Sequence, residues 1–251
     1  MRITENEKRL ETLCKGRKFE YFDVIDSTNI YLKNNVSDSM PVAVSDCQTA
    51  GRGRLGRSFY SHGGIYFSIP YKFTSDEKYL SFLTLSAGLA VRQAIKNVTG
   101  CGALIKWPND IYLNDRKICG ILVETLVSGC DITAVAGIGI NTDTSDFPDD
   151  INNKAGSLNL KSFGGDNILL IADVINILDD LVFNKKITSA DNKEIDGLVE
   201  LLNEYSYTVG RTVEYNGEKY TAVRINRSGS LTIKGADGKT ADVFYGEVKL
   251  L

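Results

Sequence analysis

Gly51-Arg52-Gly53-Arg54-Leu55-Gly56-Arg57-Ser58 matches two phosphate-binding patterns by letter, G-x-G-x-x-G and, with Arg for Lys, G-x-x-x-x-G-K-S. Both patterns need a helix directly after the glycines, so that its N-terminus faces the phosphate. Here the chain continues Phe59-Tyr60-Ser61-His62-Gly63-Gly64, which opens no amphipathic helix, and both nucleotide folds are set aside on that ground. What remains is a flexible loop whose glycines let backbone N–H groups approach a ligand closely. Its Arg52, Arg54 and Arg57 repel one another and make sense together when an anion arrives, either a nucleotide's phosphates or a nucleic-acid backbone. A solvated basic turn accounts for the same letters.

Outward from this loop, residues 18–24 alternate as a strand, and Asp26-Ser27-Thr28 offers N-cap residues to a helix carrying Ile30 and Tyr31. Residues 41–47 and 65–73 read as two more strands. Leu83, Ala87, Val91, Ala94, Ile95 and Val98 have helical spacing, which predicts a helix over 78–98 that Gly100-Cys101-Gly102 stops. Strands follow at 104–107, 110–113, 118–127 and 132–140, joined by turns too short for a parallel crossover, so the sheet should be mostly antiparallel or mixed. Two amphipathic helices are expected at 167–183 and 192–204. Beyond Glu204 come four short strands, with Asn216-Gly217, Ser228-Gly229 and Asp237-Gly238 between them, which predicts a small antiparallel barrel. The fold class is therefore α+β, with one domain at 1–204 and a second at 205–251.

Composition narrows the function. Lys+Arg 29 against Asp+Glu 32 gives a formal charge of -3, and 43% hydrophobic residues supply a sizeable core. That balance argues against a generic nucleic-acid binder. Five cysteines without a Cys-x-x-Cys pair, and His62 as the single histidine, speak against a disulfide framework, a zinc site and a His-dependent triad. The apolar run 168–183 is broken by Asp173, Asn176, Asp179 and Asp180, well short of the ~18 uninterrupted residues a membrane span needs. The charged N-terminus is neither a signal nor a transit peptide, so a cytoplasmic location is expected.

Three further motifs carry chemistry. In Lys106-Trp107-Pro108-Asn109-Asp110 a strand ends in a rigid corner, because the residue before proline is held extended. Asn109 and Asp110 are oxygen donors of the kind that hold magnesium on a nucleotide, although a plain β-turn uses the same residues. Lys117 heads the apolar strand Ile118-Cys119-Gly120-Ile121-Leu122-Val123, where an anionic ligand would give a charge its reason. Gly137, Gly139 and Asn141 in Ala136-Gly137-Ile138-Gly139-Ile140-Asn141 leave space for a ligand or for a neighbouring backbone.

Taken in order, Asp26-Ser27-Thr28-Asn29, Gln48-Thr49-Ala50 with the Gly51–Arg57 loop, Lys106–Asp110, Lys117-x-x-Gly120-Ile-Leu-Val-Glu124 and Gly137–Asn141 resemble the biotin protein ligases. Ala155-Gly156-Ser157-Leu158 and Gly246-Glu247-Val248 extend the resemblance over nearly the whole chain. It implies a catalytic domain like that of class II aminoacyl-tRNA synthetases and a C-terminal SH3-like barrel. It also implies ATP-dependent biotinylation of a lysine on a biotin carboxyl carrier protein through biotinyl-AMP.

Carried onto this chain, the resemblance gives Ser27, Thr28, Asn29 and Gln48 to the biotin ureido ring, and the apolar strands around Gly120 and Ile138 to its valeryl chain, with Gly139 also among the binding residues. Lys117, Arg52 and Arg54 become catalytic cations, with Arg57, Lys106, Gly51 and Gly53 at the nucleotide. Asn109 and Asp110 sit beside Mg2+, and Phe59, Trp107 and Asn141 complete the set. Phe59 stands where Trp is frequent, Leu55 replaces a frequent Arg, and Thr142 stands where a second Asn is common.

Only residues 1–25 precede Asp26, too few for a helix-turn-helix unit with a wing, so a ligase-only form without DNA binding is expected. A homodimer is compatible with the resemblance. Rival readings are a lipoate or octanoate ligase of the same fold and a nucleic-acid-binding regulator.

Overall fold

The computed structural model describes residues 4–74, 80–184 and 193–251. A seven-stranded sheet has the order β1-β2-β3-β7-β6-β5-β4, from β1 (Phe19–Phe22), β2 (Val42–Ser45), β3 (Ile65–Thr74), β4 (Leu104–Lys106), β5 (Asp110–Leu113), β6 (Arg116–Ser128) and β7 (Asp131–Ile140). Only β1 and β2 run parallel, so the sheet is mixed. A second, wholly antiparallel sheet has the order β11-β10-β9-β8-β12, from β8 (Thr212–Tyr215), β9 (Glu218–Ile225), β10 (Leu231–Lys234), β11 (Thr240–Val243) and β12 (Lys249–Leu250).

Side-chain alternation sorts the large sheet into two faces. Val42 and Val44, Ile65, Phe67 and Ile69, Ile121, and Ile138 and Ile140 all turn into one buried core. They pack there beneath α3 (Leu80–Thr99) and α4 (Asn167–Asp179). The helix expected from residue 78 starts at Leu80 among the described residues. It ends at Gly100, whose φ of 75° is the left-handed cap that favours glycine. The helix expected over 167–183 changes pitch at Asp180 into a single π turn, Asp180–Asn184. α5 (Lys193–Glu204) matches the reading of 192–204, Asn192 lying outside the described residues.

The opposite face is covered at one end only. There α2 (Thr28–Asn34) seats Leu32 against Ala43 and Val135. Next to it Gly137 lies under Asn29 of α2, while Gly120 and Gly139, further along that face, are uncovered by helix. Together they form the floor of the site.

One helix has no counterpart in the sequence reading: α1 (Glu5–Leu13). Its signal is the capping box Thr4-x-x-Glu7, with Thr4 Oγ1 accepting from Glu7 N–H at 3.1 Å. Leu10 is its one buried residue, too little periodicity to be read as an amphipathic helix.

Residues 205–207 run beside β4, with Ile105 N–H donating to Tyr205 O at 2.8 Å and Tyr207 N–H to Ile105 O at 2.7 Å. The link to the small sheet is thus laid on the large one. Among the described residues no helix is long and apolar enough to cross a membrane.

Candidate active site

A cleft of about 880 Å³, counting the space open to solvent, lies over the bare face of the large sheet. Its lining holds five cations, Arg52, Arg54, Arg57, Lys106 and Lys117, against two carboxylates, Asp110 and Glu247. Such an excess of positive charge in a confined space attracts anions.

Lys117 reaches the cleft through a β-bulge. The register of β5 on β6 slips so that Ile111 faces Cys119 and Tyr112 faces Lys117, leaving Ile118 as the extra residue. Ile118 and Cys119 both enter the core, which returns Lys117 to the face of Gly120 despite their odd separation. Its Nζ then lies 3.3 Å from where a Cβ on Gly120 would stand, and 2.7 Å from Asp110 Oδ1. Lys106 and Asp110 face each other across the β4–β5 hairpin. Burial pushes the Lys106 ammonium below the usual lysine value, Asp110 opposing and Lys117 adding to the effect. Among the described residues no carboxylate lies within ion-pair distance of it.

The basic loop closes over this floor. Leu55 (φ 56°) and Gly56 (φ 75°) form a tight left-handed turn, and Gly53 N–H donates to Arg57 O at 2.7 Å. Each arginine has a protein partner. Arg52 stands 3.4 Å from Glu124 Oε1; Arg54 donates to Asn109 Oδ1 at 2.9 Å and to Gly246 O at 3.1 Å; Arg57 pairs with Glu247. The expectation that mutual repulsion is relieved only by an incoming anion is therefore corrected, because residues distant in sequence supply carboxylates to Arg52 and Arg57 and neutral oxygens to Arg54.

Gly120 and Gly139 are opposite each other on β6 and β7, and the space above them is filled by the ring of Phe59. A Cβ at either glycine would stand 2.8 or 2.7 Å from a ring carbon. The ring also lies 5.8 Å from Lys117 Nζ.

At the other end of the cleft Ser27 caps α2, and Thr28 N–H donates to Gln48 Oε1 at 2.9 Å. Gln48 Nε2 donates to Ser61 Oγ at 3.2 Å. Asn29 is committed to the protein: Nδ2 donates to Leu122 O at 3.2 Å and to Glu124 Oε2 at 3.0 Å, while Oδ1 accepts from Ser68 Oγ at 2.6 Å. With both amide hydrogens used, Asn29 shapes the wall and has no donor left for a ligand.

Three expected residues do not line the cleft. Trp107 is buried in the corner, its N–H donating to Thr208 Oγ1 at 3.0 Å and its indole Nε1 to Gly229 O at 2.9 Å, so it joins the two sheets. Gly51 lies behind the wall, where a Cβ would come within 2.6 Å of Phe59 O. Asn141 is buried and donates to Gly156 O at 3.1 Å. The other expected residues line it together. Sequence reading missed Ser68, took Gly137 only as space for a ligand or a neighbouring backbone, and quoted Glu124, Gly246 and Glu247 within motifs without giving them a site role.

Residues 21–141 match the Biotin/lipoate A/B protein ligase family. The chain is 33% identical to the bifunctional ligase/repressor BirA of Bacillus spizizenii, covering 94% of this chain and 76% of that one. It is 39% identical to the biotin--[acetyl-CoA-carboxylase] ligase of Paracoccus denitrificans over 46% of this chain and 51% of the relative. Among solved structures, the biotin protein ligase from Aquifex aeolicus in complex with biotin and ATP superposes with a TM-score of 0.74 at 28% identity, over 93% of this chain and 98% of that one. The likeness runs over nearly the whole chain, and the chain belongs to the biotin protein ligases of the biotin/lipoate A/B protein ligase family.

Proposed function

We propose that the chain joins biotin to one lysine of a biotin carboxyl carrier domain, in acetyl-CoA carboxylase or a related carboxylase, through biotinyl-AMP. A biotin carboxylate oxygen attacks the α-phosphorus of ATP, and the bond to the leaving pyrophosphate breaks. A carrier lysine amine then attacks the acyl carbon, AMP leaves, and the amine's proton passes to solvent.

The observation that carries this reading is Lys117, bent over Gly120 beside Asp110 and Lys106 and facing the arginine loop. Joining a carboxylate to a phosphate brings two anions together, and the barrier falls when fixed positive charge meets the negative charge that builds at phosphorus. Lys117 and Lys106 on the floor, and Arg52, Arg54 and Arg57 once the loop is shut, supply it. Ser27, Thr28 and Gln48 take the ureido ring, with Asn29 behind them. Phe59 offers its ring face to the adenine. Positioning and electrostatics then carry the reaction without a covalent enzyme intermediate.

Magnesium fits as a passenger on the triphosphate, which it would bind through phosphate oxygens plus one or two carboxylates and whose charge it would offset. Of the expected pair, Asp110 offers a carboxylate, whereas the Asn109 oxygen is occupied by Arg54. We therefore assign the metal to Asp110 alone. The chemistry belongs to residues 1–204, and residues 205–251 close the cleft through Gly246 and Glu247.

Incubation with ATP, magnesium, biotin and a purified carrier domain should give a streptavidin-reactive carrier, and pyrophosphate release should depend on biotin. Equal turnover of lipoate or octanoate would reject the assignment.

A further inference from the structure

Glu124, at the edge of the cleft, contacts both the Asn29 wall and the basic loop. It follows Gly120 and Leu122 at period two on β6, so it rises from the cleft face of the sheet. Its Oε2 accepts from Asn29 Nδ2 at 3.0 Å. Its Oε1 lies 2.8 Å from Lys33 Nζ, in the last turn of α2, and 3.4 Å from Arg52 Nη1 in the basic loop. The Glu124 and Lys33 side chains are largely buried, whereas Arg52 is 44% exposed. A buried carboxylate needs compensation. Lys33, at the shorter distance, supplies most of it, and Arg52 is held as the second, weaker partner.

We propose that Glu124 is a positioning residue for the ligation reaction: it tethers the arginine loop to the cleft floor, and Lys33 sets how hard it pulls. The inference rests on the biotin ligase reading. Loop opening must break the Arg52–Glu124 pair, so the tether acts on escape of the bound adenylate. Of the five cations offered to the phosphate, Glu124 touches Arg52 alone; Arg52 keeps its charge in either variant, and Lys117, Lys106, Arg54 and Arg57 serve the chemical step without it. Removing the carboxylate frees the loop. Removing Lys33 leaves Glu124 with Arg52 as its only cation among the described residues and strengthens the tether.

These two substitutions separate the tether from plain electrostatics. A simple field effect predicts that Glu124→Gln, which deletes negative charge near an anionic ligand, slows adenylate release, and that Lys33→Met speeds it. The tether predicts the reverse for both. Biotinyl-AMP formed on the full chain from labelled biotin and ATP, then chased with unlabelled biotin, gives the release rate. Glu124→Gln should raise it roughly three- to fivefold and Lys33→Met should lower it, the scale of a partly exposed ion pair. Single-turnover adenylation at saturating substrates should change less than about twofold.

Faster release from both variants signals general loosening and overturns the proposal, as does the electrostatic pattern or an unchanged rate. Should Glu124→Gln fail to fold, Lys33→Met alone decides by the sign of its effect. A wild-type chain that forms no adenylate overturns the activity reading, and this one with it.

Discussion

The guanidinium of Arg54 donates to the backbone carbonyl of Gly246 across 3.1 Å, joining positions 192 residues apart. Through this bond, and through the neighbouring Arg57–Glu247 pair, the basic loop of the large sheet is fastened to the end of the small one. The cleft is closed by two pieces of chain that sequence alone would never place together.

That fastening sets the mobility of the loop. Ordering it costs about 1 kcal/mol or more of backbone entropy per residue, and exposed pairs such as Arg57–Glu247 return at most about 1 kcal/mol each. The loop should therefore open readily in the free protein and be held shut when an adenylate adds its own contacts to the arginines. Trypsin should cut after Arg52, Arg54 or Arg57 in the apo protein and be strongly slowed by biotin plus ATP. Equal protection in both states would show a preformed cradle.

Lys117→Ala should fold normally, because the side chain lies in the cleft and outside the core. Adenylation should fall by at least ~10²-fold, the loss seen when one preorganised charge donor is removed. Biotin-dependent pyrophosphate release measures it. A change of less than a few-fold in a folded variant would leave Lys117 without a catalytic role.

Gly137→Ala and Gly139→Ala should damage opposite ends of the site. A Cβ on Gly137 would overlap the Asn29 amide, which three hydrogen bonds hold in place, so biotin affinity should drop at least about tenfold, with about 1–3 kcal/mol of stability lost to overpacking. At Gly139 it would press on Phe59 Cε1 at 2.7 Å, which should raise the KM for ATP and spare biotin. Calorimetric titration with each substrate distinguishes the two. Identical losses of both substrates in both variants would reject the division of the cleft.

The Glu7 carboxylate accepts from the N–H of Tyr21 at 3.0 Å and from the N–H of Thr4, fixing α1 to the edge strand β1. Burial pushes its pKa up, but these hydrogen bonds outweigh that and hold it below the usual glutamate value. A depressed folded-state pKa means that the stabilisation is complete above the unfolded value of about 4.3 and is lost as pH falls through the folded value. Glu7→Gln should lower the urea midpoint at pH 7, and the gap from wild type should shrink on acidification below that window. A gap that stayed constant would place the effect in packing.

The sequence by itself determined the strands of the described residues except β12, three of the helices near their observed ends, the two-sheet organisation and most of the cleft lining. These features rest on period, on caps such as Ser27 and Gly100, and on motifs whose residues are neighbours in the chain. The tertiary structure alone decided the rest. Lys117 faces the cleft because an extra residue at Ile118 flips the register, and such a bulge is set by the pairing of β5 with β6 and by no local letter. Trp107 belongs to the joint between the sheets because its partners, Thr208 and Gly229, are about a hundred residues away. The same reason left Glu124 and Glu247, both quoted in motifs, without a site role: a charge reads as a surface residue until the fold brings it a partner.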